Sequence, residues 1–333
     1  MKNGILSTIG GTPLVELTRI FRHWPIRFFA KLEQFNPGGS TKDRPAFLII
    51  ERGLHNGTIR PGTIVIESSS GNMGIGLAQA CSYYKLHFIA VVDPKTTAQN
   101  ISLLKAYNAT VEMVEAPDPE TGEYLPARIQ RVRKLMEVYP NSYWPNQYAS
   151  VENSEAHHRT MDEICVALDG DLDYLFCATS TCGTLRGCAE YCRKHGLKTK
   201  IVAVDAVGSV IFGGKKSKRL IPGHGAAIVP DLYQDGLADD HIDVTDRECV
   251  VGCHRMVREE TLLAGGSSGA IVSAIERYAP NMFSGAVCVA ILPDRGERYL
   301  DTIYNRAWVF EHFGEIENLW KTSIENHTYA IAT

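Results

Sequence analysis

The chain has 333 residues, 44% of them hydrophobic and 22% charged, with a formal net charge of −4 at pH 7. That is enough chain for a large core in two lobes or one large α/β domain, and the mixed charge, with no block of one sign, argues against a nucleic-acid footprint. No apolar run reaches membrane-spanning length, the N-terminus lacks a signal-peptide pattern, and nine cysteines set mostly in apolar segments point to reduced thiols in a cytoplasmic protein.

In chain order the spacing predicts a strand over 27–32, a helix over 45–57, a strand over 63–68 and a helix over 73–85. A strand over 86–92, a helix over 97–109, a strand over 110–115 and a helix over 127–139 follow. A turn-rich crossover, 139–153, leads to a helix over 152–168, a strand over 173–179, a helix over 184–196 and a strand over 200–206. Segment 207–245 reads as loop. Helices over 247–260 and 269–279 and a strand over 286–292 complete the series. The strands are nearly continuous runs of Val, Ile and Phe, as strands covered on both faces are. Alternation of strand and helix predicts an α/β fold with mainly parallel sheets.

Three loops of Gly, Ser and Thr stand before helices: "ESSSGNMGIG" (67–76), "TSTCGTLRG" (179–187) and "GGSSGAIV" (265–272). Helix N-termini carry free N–H groups and the positive end of the dipole, so such loops suit anions. Read as three strand-to-helix junctions, they point to a ligand crevice at the C-terminal edge of a sheet. Neither a dinucleotide fingerprint nor a P-loop is present. The third loop has a second reading: Gly265, Ser267 and Gly269 fit a nucleophile elbow, with Asp294 and His312 following in the order of a serine hydrolase. That reading leaves Lys42 and the other two loops unexplained. Cys188/Cys192 and Cys249/Cys253, the latter followed by His254, are spaced four apart; without a further ligand pair at zinc spacing they read as small core residues, and no metal is expected.

Lys42, in "NPGGSTKDR" (36–44), stands where a helix begins. Burial and the positive end of a helix dipole both disfavour an ammonium, so a lysine there tends toward the neutral, nucleophilic amine that condenses with carbonyls.

"TPLVEL" (12–17), "KLEQFNPGGSTKDR" (31–44), "SSSGNMGIGLA" (68–78), "NQY" (146–148), "GGSSGA" (265–270) and "LPDRGERYL" (292–300) occur in one order along most of the chain. Together they resemble the cysteine synthase/cystathionine β-synthase family of pyridoxal phosphate enzymes. The resemblance implies fold type II, a two-lobed three-layer αβα architecture like the tryptophan synthase β-subunit. It implies an enzyme domain over 5–310, with a smaller lobe about 41–150, a larger lobe about 1–40 plus 151–310, and a tail at 311–333. Lys42 matches the lysine that holds pyridoxal 5'-phosphate as a Schiff base, and Asn72 matches the asparagine paired with the cofactor's ring hydroxyl. Ser180, Thr181, Cys182, Gly183 and Thr184 match the phosphate cup, and Ser267 the partner of the pyridine nitrogen. Ser69, Ser70, Gly71 and Gln147 match the positions that bind the substrate carboxylate.

A hydroxyl at Ser267 cannot keep the pyridine nitrogen protonated as a carboxylate can, which weakens the ring as an electron sink and favours β-replacement. Three features depart from the cysteine synthases: Met73 replaces the usual threonine, the cup reads "STCGT", and "ASVEN" follows the glutamine motif. "VDAVGSVIFGG" (204–214) and "LPDRGERYLD" (292–301) are most similar to a branch that joins O-phospho-L-serine to L-glutamate on the way to 2,3-diaminopropionate in siderophore and peptide-antibiotic pathways. The alternative is a true cysteine synthase. In that branch Lys42 would act as general base at Cα, and Arg128 is the candidate to receive the departing phosphate. A homodimer is the implied assembly. His157 and His158 read as surface residues, and Arg295 and Arg298 as members of structural ion pairs, the alternative being contact with glutamate's side-chain carboxylate.

Overall fold

The computed structural model describes residues 4–320. Strands β1 (Leu14–Glu16) and β2 (Arg27–Leu32) lead to α1 (Asp43–His55). Then come β3 (Ile64–Ser68), α2 (Asn72–Tyr83), β4 (His87–Val92), α3 (Ala98–Ala106), β5 (Thr110–Met113), α4 (Tyr124–Val138) and β6 (Ser142–Tyr143). Helices α5 (Glu152–Glu155) and α6 (His158–Ala167) precede β7 (Tyr174–Ala178), α7 (Gly183–His195) and β8 (Lys200–Ala206). The remainder is β9 (Asp240–Val244), α8 (Asp246–Glu260), α9 (Gly266–Tyr278), β10 (Val287–Leu292) and α10 (Arg306–Phe313).

Two sheets result. One has six strands in the order β1-β2-β10-β7-β8-β9, and the other four in the order β5-β4-β3-β6. Every pairing is parallel except β1 with β2. The two-residue period of a strand sorts the apolar residues onto two faces. In β10, Cys288, Ala290 and Leu292 pack with α8 and α9, while Val287, Val289 and Ile291 pack with α6 and α7. In β4, Phe88, Ala90 and Val92 face α1 and α2, while Ile89 and Val91 face α4. Each sheet is therefore the middle of a helix–sheet–helix sandwich, which explains the continuous apolar runs. Each Val, Leu or Ile so covered contributes about 1.5–3 kcal/mol relative to an exposed one.

Several elements differ from the sequence reading, which did not expect the short strands β1 and β6. β9 lies inside the segment read as loop; its burial is patchy and its edge position leaves polar residues exposed, so no apolar run marks it. The helix expected over 152–168 is broken into α5 and α6 near His157. The helix α10 crosses residue 310, and Trp320 packs into the core of the larger sheet. The rest of the expected tail, 321–333, lies outside the described residues.

The loops after β2, β3, β7 and β10 all leave the C-terminal edges of parallel strands. That edge is where open α/β sheets place a ligand.

Candidate active site

Lys42 caps the N-terminus of α1, and its neighbours explain the loop that presents it. Arg44 reaches back to β2: Nε and Nη2 donate to the two oxygens of Glu33, each at 2.7 Å, and Nη1 and Nη2 donate to Glu163 at 2.9 and 2.7 Å. Lys31 Nζ lies 2.7 Å from Glu163 and donates to Thr12 O at 2.6 Å. Two cations and two carboxylates are thus buried together and balanced. The Asp43 carboxylate accepts from the Gly38 amide and Ser40 Oγ, closing the loop on itself. Desolvation pushes the Lys42 ammonium down to about 8, although Cys182, Asp294 and Glu33 face it. Among the described residues Lys42 Nζ makes no hydrogen bond and no salt bridge.

The serine loop after β3 is held from behind. Glu67, fully buried, accepts from Ser68 N at 2.7 Å, Trp144 Nε1 at 3.2 Å and Gln147 N at 3.1 Å. Gln147 Nε2 donates to Ser68 O at 3.1 Å. One carboxylate therefore joins the Ser69–Ser70 loop to the Gln147 loop. Ser69 Oγ accepts from Gly74 N at 2.9 Å and caps the start of α2. Arg128 Nη1 donates to Ser70 Oγ at 3.1 Å and lies 3.3 Å from Asp93 Oδ2. Asn100 Nδ2 donates to Ser70 O at 3.0 Å. Arg128 is 9% exposed, and its Nε has no partner among the described residues. A β-carbon at Gly71 would meet nothing within 4 Å, so this loop faces open space. Met73 points the other way, into the core beneath α1.

The third element is the start of α7. Cys182 sits at its N-cap with φ 64°, a left-handed conformation that costs a β-carbon-bearing residue about 1–2 kcal/mol. A β-carbon at Gly183 would fall 2.5 Å from Asn153 Oδ1, so only glycine fits there. Asn153 Nδ2 donates to Thr181 Oγ1 at 3.1 Å and to Gln147 O at 2.6 Å. Thr184 Oγ1 lies 3.1 Å from His157 Nε2, and His157 Nδ1 lies 3.2 Å from Thr160 Oγ1. His157 is fully buried, not a surface residue; desolvation, with Lys42 and Arg44 nearby, holds its pKa well below the ordinary value, so it stays neutral. Its polar sequence neighbours hid it, because the chain turns inward between α5 and α6. His158 is the partly exposed member and pairs with Glu190 at 3.4 Å.

Ser267 lies in the first turn of α9, but the loop before it follows α8 rather than a strand, so only two of the three Gly/Ser loops are strand-to-helix junctions. The nucleophile-elbow reading fails on partners. Asp294 Oδ2 accepts from Asn72 Nδ2 at 2.8 Å and Tyr299 Oη at 2.7 Å. His312 is bonded through Nδ1 to Trp308 O at 2.8 Å and stacks on that ring. Asp294 and His312 therefore serve other partners. Among the described residues Arg295 and Arg298 make no salt bridge within 4 Å; they donate to Gln34 O and Gly38 O and hold the loop before Lys42. Cys188, Cys192, Cys249 and Cys253 are buried thiols, and among the described residues no His/Cys/Asp/Glu group has the makings of a metal site.

The N-termini of α1, α2, α7 and α9 thus surround one uncommitted, desolvated lysine, a setting for an anionic aldehyde. A family model, pyridoxal-phosphate dependent enzyme, matches residues 5–294. The chain belongs to that family. Two curated relatives carry the name N-(2-amino-2-carboxyethyl)-L-glutamate synthase. That of Ralstonia nicotianae is 48% identical over 306 residues, 92% of this chain and 90% of the relative. That of Cupriavidus metallidurans is 44% identical over 311 residues, 92% of this chain and 91% of the relative. Among solved structures, O-acetyl serine sulfhydrylase isoform 3 from Entamoeba histolytica superposes with TM-score 0.84 at 32% identity, covering 91% of this chain and 92% of that one. The O-acetylserine dependent cystathionine β-synthase from Helicobacter pylori gives 0.85 at 29%, covering 92% and 99%. The fold is that of the fold type II pyridoxal phosphate enzymes.

Pyridoxal phosphate is the cofactor of this enzyme, and the residues present fit it. The unpartnered amine of Lys42 suits its aldehyde, and the N-terminus of α7 at Cys182–Gly183, with its free N–H groups, suits its phosphate. When bound it supplies an electron sink for a carbanion at the substrate Cα.

Proposed function

We propose that this pyridoxal-phosphate dependent enzyme performs β-replacement on O-phospho-L-serine with L-glutamate, giving N-(2-amino-2-carboxyethyl)-L-glutamate and phosphate. The observation that carries the reading is the pair of relatives at 48% and 44% identity over 92% of the chain that bear the product's name. In this reading Lys42 anchors the cofactor, Asn72 donates to its ring hydroxyl, and Ser267 bonds its pyridine nitrogen. Ser180, Thr181, Cys182, Gly183 and Thr184 take its phosphate. Ser69, Ser70, Gly71 and Gln147 take the substrate α-carboxylate. Lys42 Nζ removes the Cα proton, the Cβ–O bond breaks with its electron pair going to phosphate, the glutamate amine bonds to Cβ, and Lys42 returns the proton to Cα. Arg128, buried beside Ser70, supports a leaving group that departs as a dianion.

The same reading assigns a step toward 2,3-diaminopropionate, of the kind siderophore synthesis uses, to a homodimer acting in the cytoplasm. It assigns residues of about 41–150 to a smaller lobe and about 1–40 plus 151–310 to a larger one. No described helix is long and apolar enough to cross a membrane.

The deciding experiment gives the purified protein O-phospho-L-serine with L-glutamate or sulfide, and O-acetylserine with each, and reads products by mass spectrometry. The glutamate adduct from phosphoserine is expected. Cysteine from acetylserine with no glutamate adduct would reassign the protein as a cysteine synthase. Cofactor binding with no turnover of any β-substituted serine would make it a ligand sensor. Light scattering tests the dimer, and a monomer mass at micromolar concentration refutes it.

A further inference from the structure

Asp294 is a buried acid that the chemistry above does not use. It is 1% exposed, and it touches the loops that carry Lys42, Asn72 and Ser267. Its backbone forms an antiparallel bridge with Ser40, two residues before Lys42, and Thr41 N donates to Pro293 O at 2.7 Å. Its carbonyl accepts from Gly265 N at 3.1 Å, two residues before Ser267. Its side chain reaches the loop after β3: Oδ2 accepts from Asn72 Nδ2 at 2.8 Å, with Tyr299 Oη on the same oxygen at 2.7 Å. Oδ1 has no partner among the described residues.

Two consequences follow from elementary chemistry. Burial raises the Asp294 carboxyl's pKa while Arg298, Tyr299, Asn72 and Lys42 hold it down; in its ionised form a carboxylate only accepts, so the Asn72 carboxamide then turns its nitrogen toward Asp294, since a flipped amide would set oxygen against oxygen. One of the two Nδ2 hydrogens is then taken, and the direction of the other is fixed. Asp294 also faces Lys42. The groups facing Lys42 are Cys182, Asp294, Glu33 and the neutral His157, and those facing Asp294 are Arg298, Tyr299, Asn72 and Lys42. Cys182 is a protonated thiol, its pKa pushed up to about 12 by burial, so Asp294 and Glu33 are the acids available to offset the Lys42 ammonium.

We propose that Asp294 is a positioning residue with two linked tasks. Through Asn72 it holds a nitrogen–hydrogen donor ready for the ring oxygen of the cofactor, and through space it is the counter-charge that keeps the Lys42 amine protonatable between its two proton transfers. The proposal rests on the assignment of Asn72 to the ring hydroxyl made above. No carboxylate is needed merely to fill the space: an asparagine there can still accept from Asn72 and Tyr299 through its oxygen, and it lacks the negative charge.

The test uses the full-length protein with and without pyridoxal phosphate. In the cofactor-free protein, the pH midpoint for acetylation of Lys42, read by peptide mass spectrometry, is expected to fall by about one unit in Asp294→Asn, because a neighbouring opposite charge has been removed. In cofactor titrations read by visible absorbance, Asn72→Ala and Asp294→Ala are each expected to weaken binding about tenfold, and the double variant no more than either alone, because both act through one hydrogen bond. Additive losses with an unchanged Lys42 midpoint in Asp294→Asn overturn the proposal and leave Asn72's role standing. Unchanged affinity and spectrum in Asn72→Ala overturn the assignment of Asn72 itself, and the proposal with it. Should Asp294→Ala fail to fold, the Lys42 midpoint in Asp294→Asn decides alone: a shift supports the proposal and no shift overturns it.

Discussion

Arg128 donates to the hydroxyl of Ser70 at 3.1 Å, so a guanidinium on α4 reaches the loop proposed to bind the substrate carboxylate. The same nitrogen, Nη1, lies 3.3 Å from Asp93 Oδ2, and the pair is buried. A charge-assisted contact to a dianion contributes about 1.5–3 kcal/mol, so Arg128→Ala is expected to slow turnover of phosphoserine by roughly tenfold to more than a hundredfold. Acetylserine, whose leaving group gains little from a fixed cation, should be affected much less, and Arg128→Lys should recover only part of the loss. Rapid-mixing kinetics with both donors check this. Equal slowing of both donors would move the anion receiver elsewhere. Arg219 is then the first alternative, because it faces Tyr148 beside Gln147, whereas Arg186 is paired with Glu190 and Arg295 with Gln34 O.

Lys42→Ala should abolish turnover with either donor. Lys42→Met should also stabilise the cofactor-free protein at neutral pH. A lysine whose pKa falls from 10.5 unfolded to about 8 folded costs stability wherever it is protonated, and the penalty is full below about 8. At about 1.4 kcal/mol per unit the gain is at most about 3 kcal/mol. Urea unfolding of the two proteins near neutral pH measures it; equal midpoints would show that the amine is not desolvated.

Arg44→Ala should be among the most damaging changes outside the cofactor contacts. It leaves Glu33, which is fully buried, without its fork of two 2.7 Å hydrogen bonds. Removing one partner of a buried ion pair costs about 3–5 kcal/mol. A loss below about 1 kcal/mol in denaturant titration, the scale of an exposed pair, would contradict the network.

The cofactor-free protein should gain stability as pH falls from about 8 to about 6.5 and then level off, because opposing buried groups balance there. Asp43 and Glu67 are pushed up to about 7 by burial, so the folded state binds their protons more tightly and gains stability as pH falls from about 8 down to the unfolded carboxyl range. The buried histidines act oppositely: His224 is pushed down to about 4 and His157 well below its ordinary value, so both cost stability once pH falls below 6.5. Lys42 adds a nearly constant penalty below about 8. Denaturant midpoints at about pH 5, 6.5 and 8 test the shape, and a steady rise from 5 to 8 would contradict it.

The sequence by itself determined the elements whose signal is local. Strands such as Val287–Leu292, apolar on both faces, and loops of Gly and Ser at helix starts are legible because periodicity, capping and backbone freedom act within a few residues. The position of Lys42 at a helix start was legible for the same reason. Only the tertiary structure decided what those residues face. His157 was hidden among polar neighbours, yet the break between α5 and α6 turns it inward onto Thr184. β9 was missed because an edge strand need not be apolar. Glu67, Asn153 and Asp294 carry no local mark, since each is defined by partners far away in the chain: Trp144, Thr181 and Asn72 respectively. Burial and long-range hydrogen bonding are properties of the packed molecule, and they separate a buried acid that organises a site from an acid on the surface.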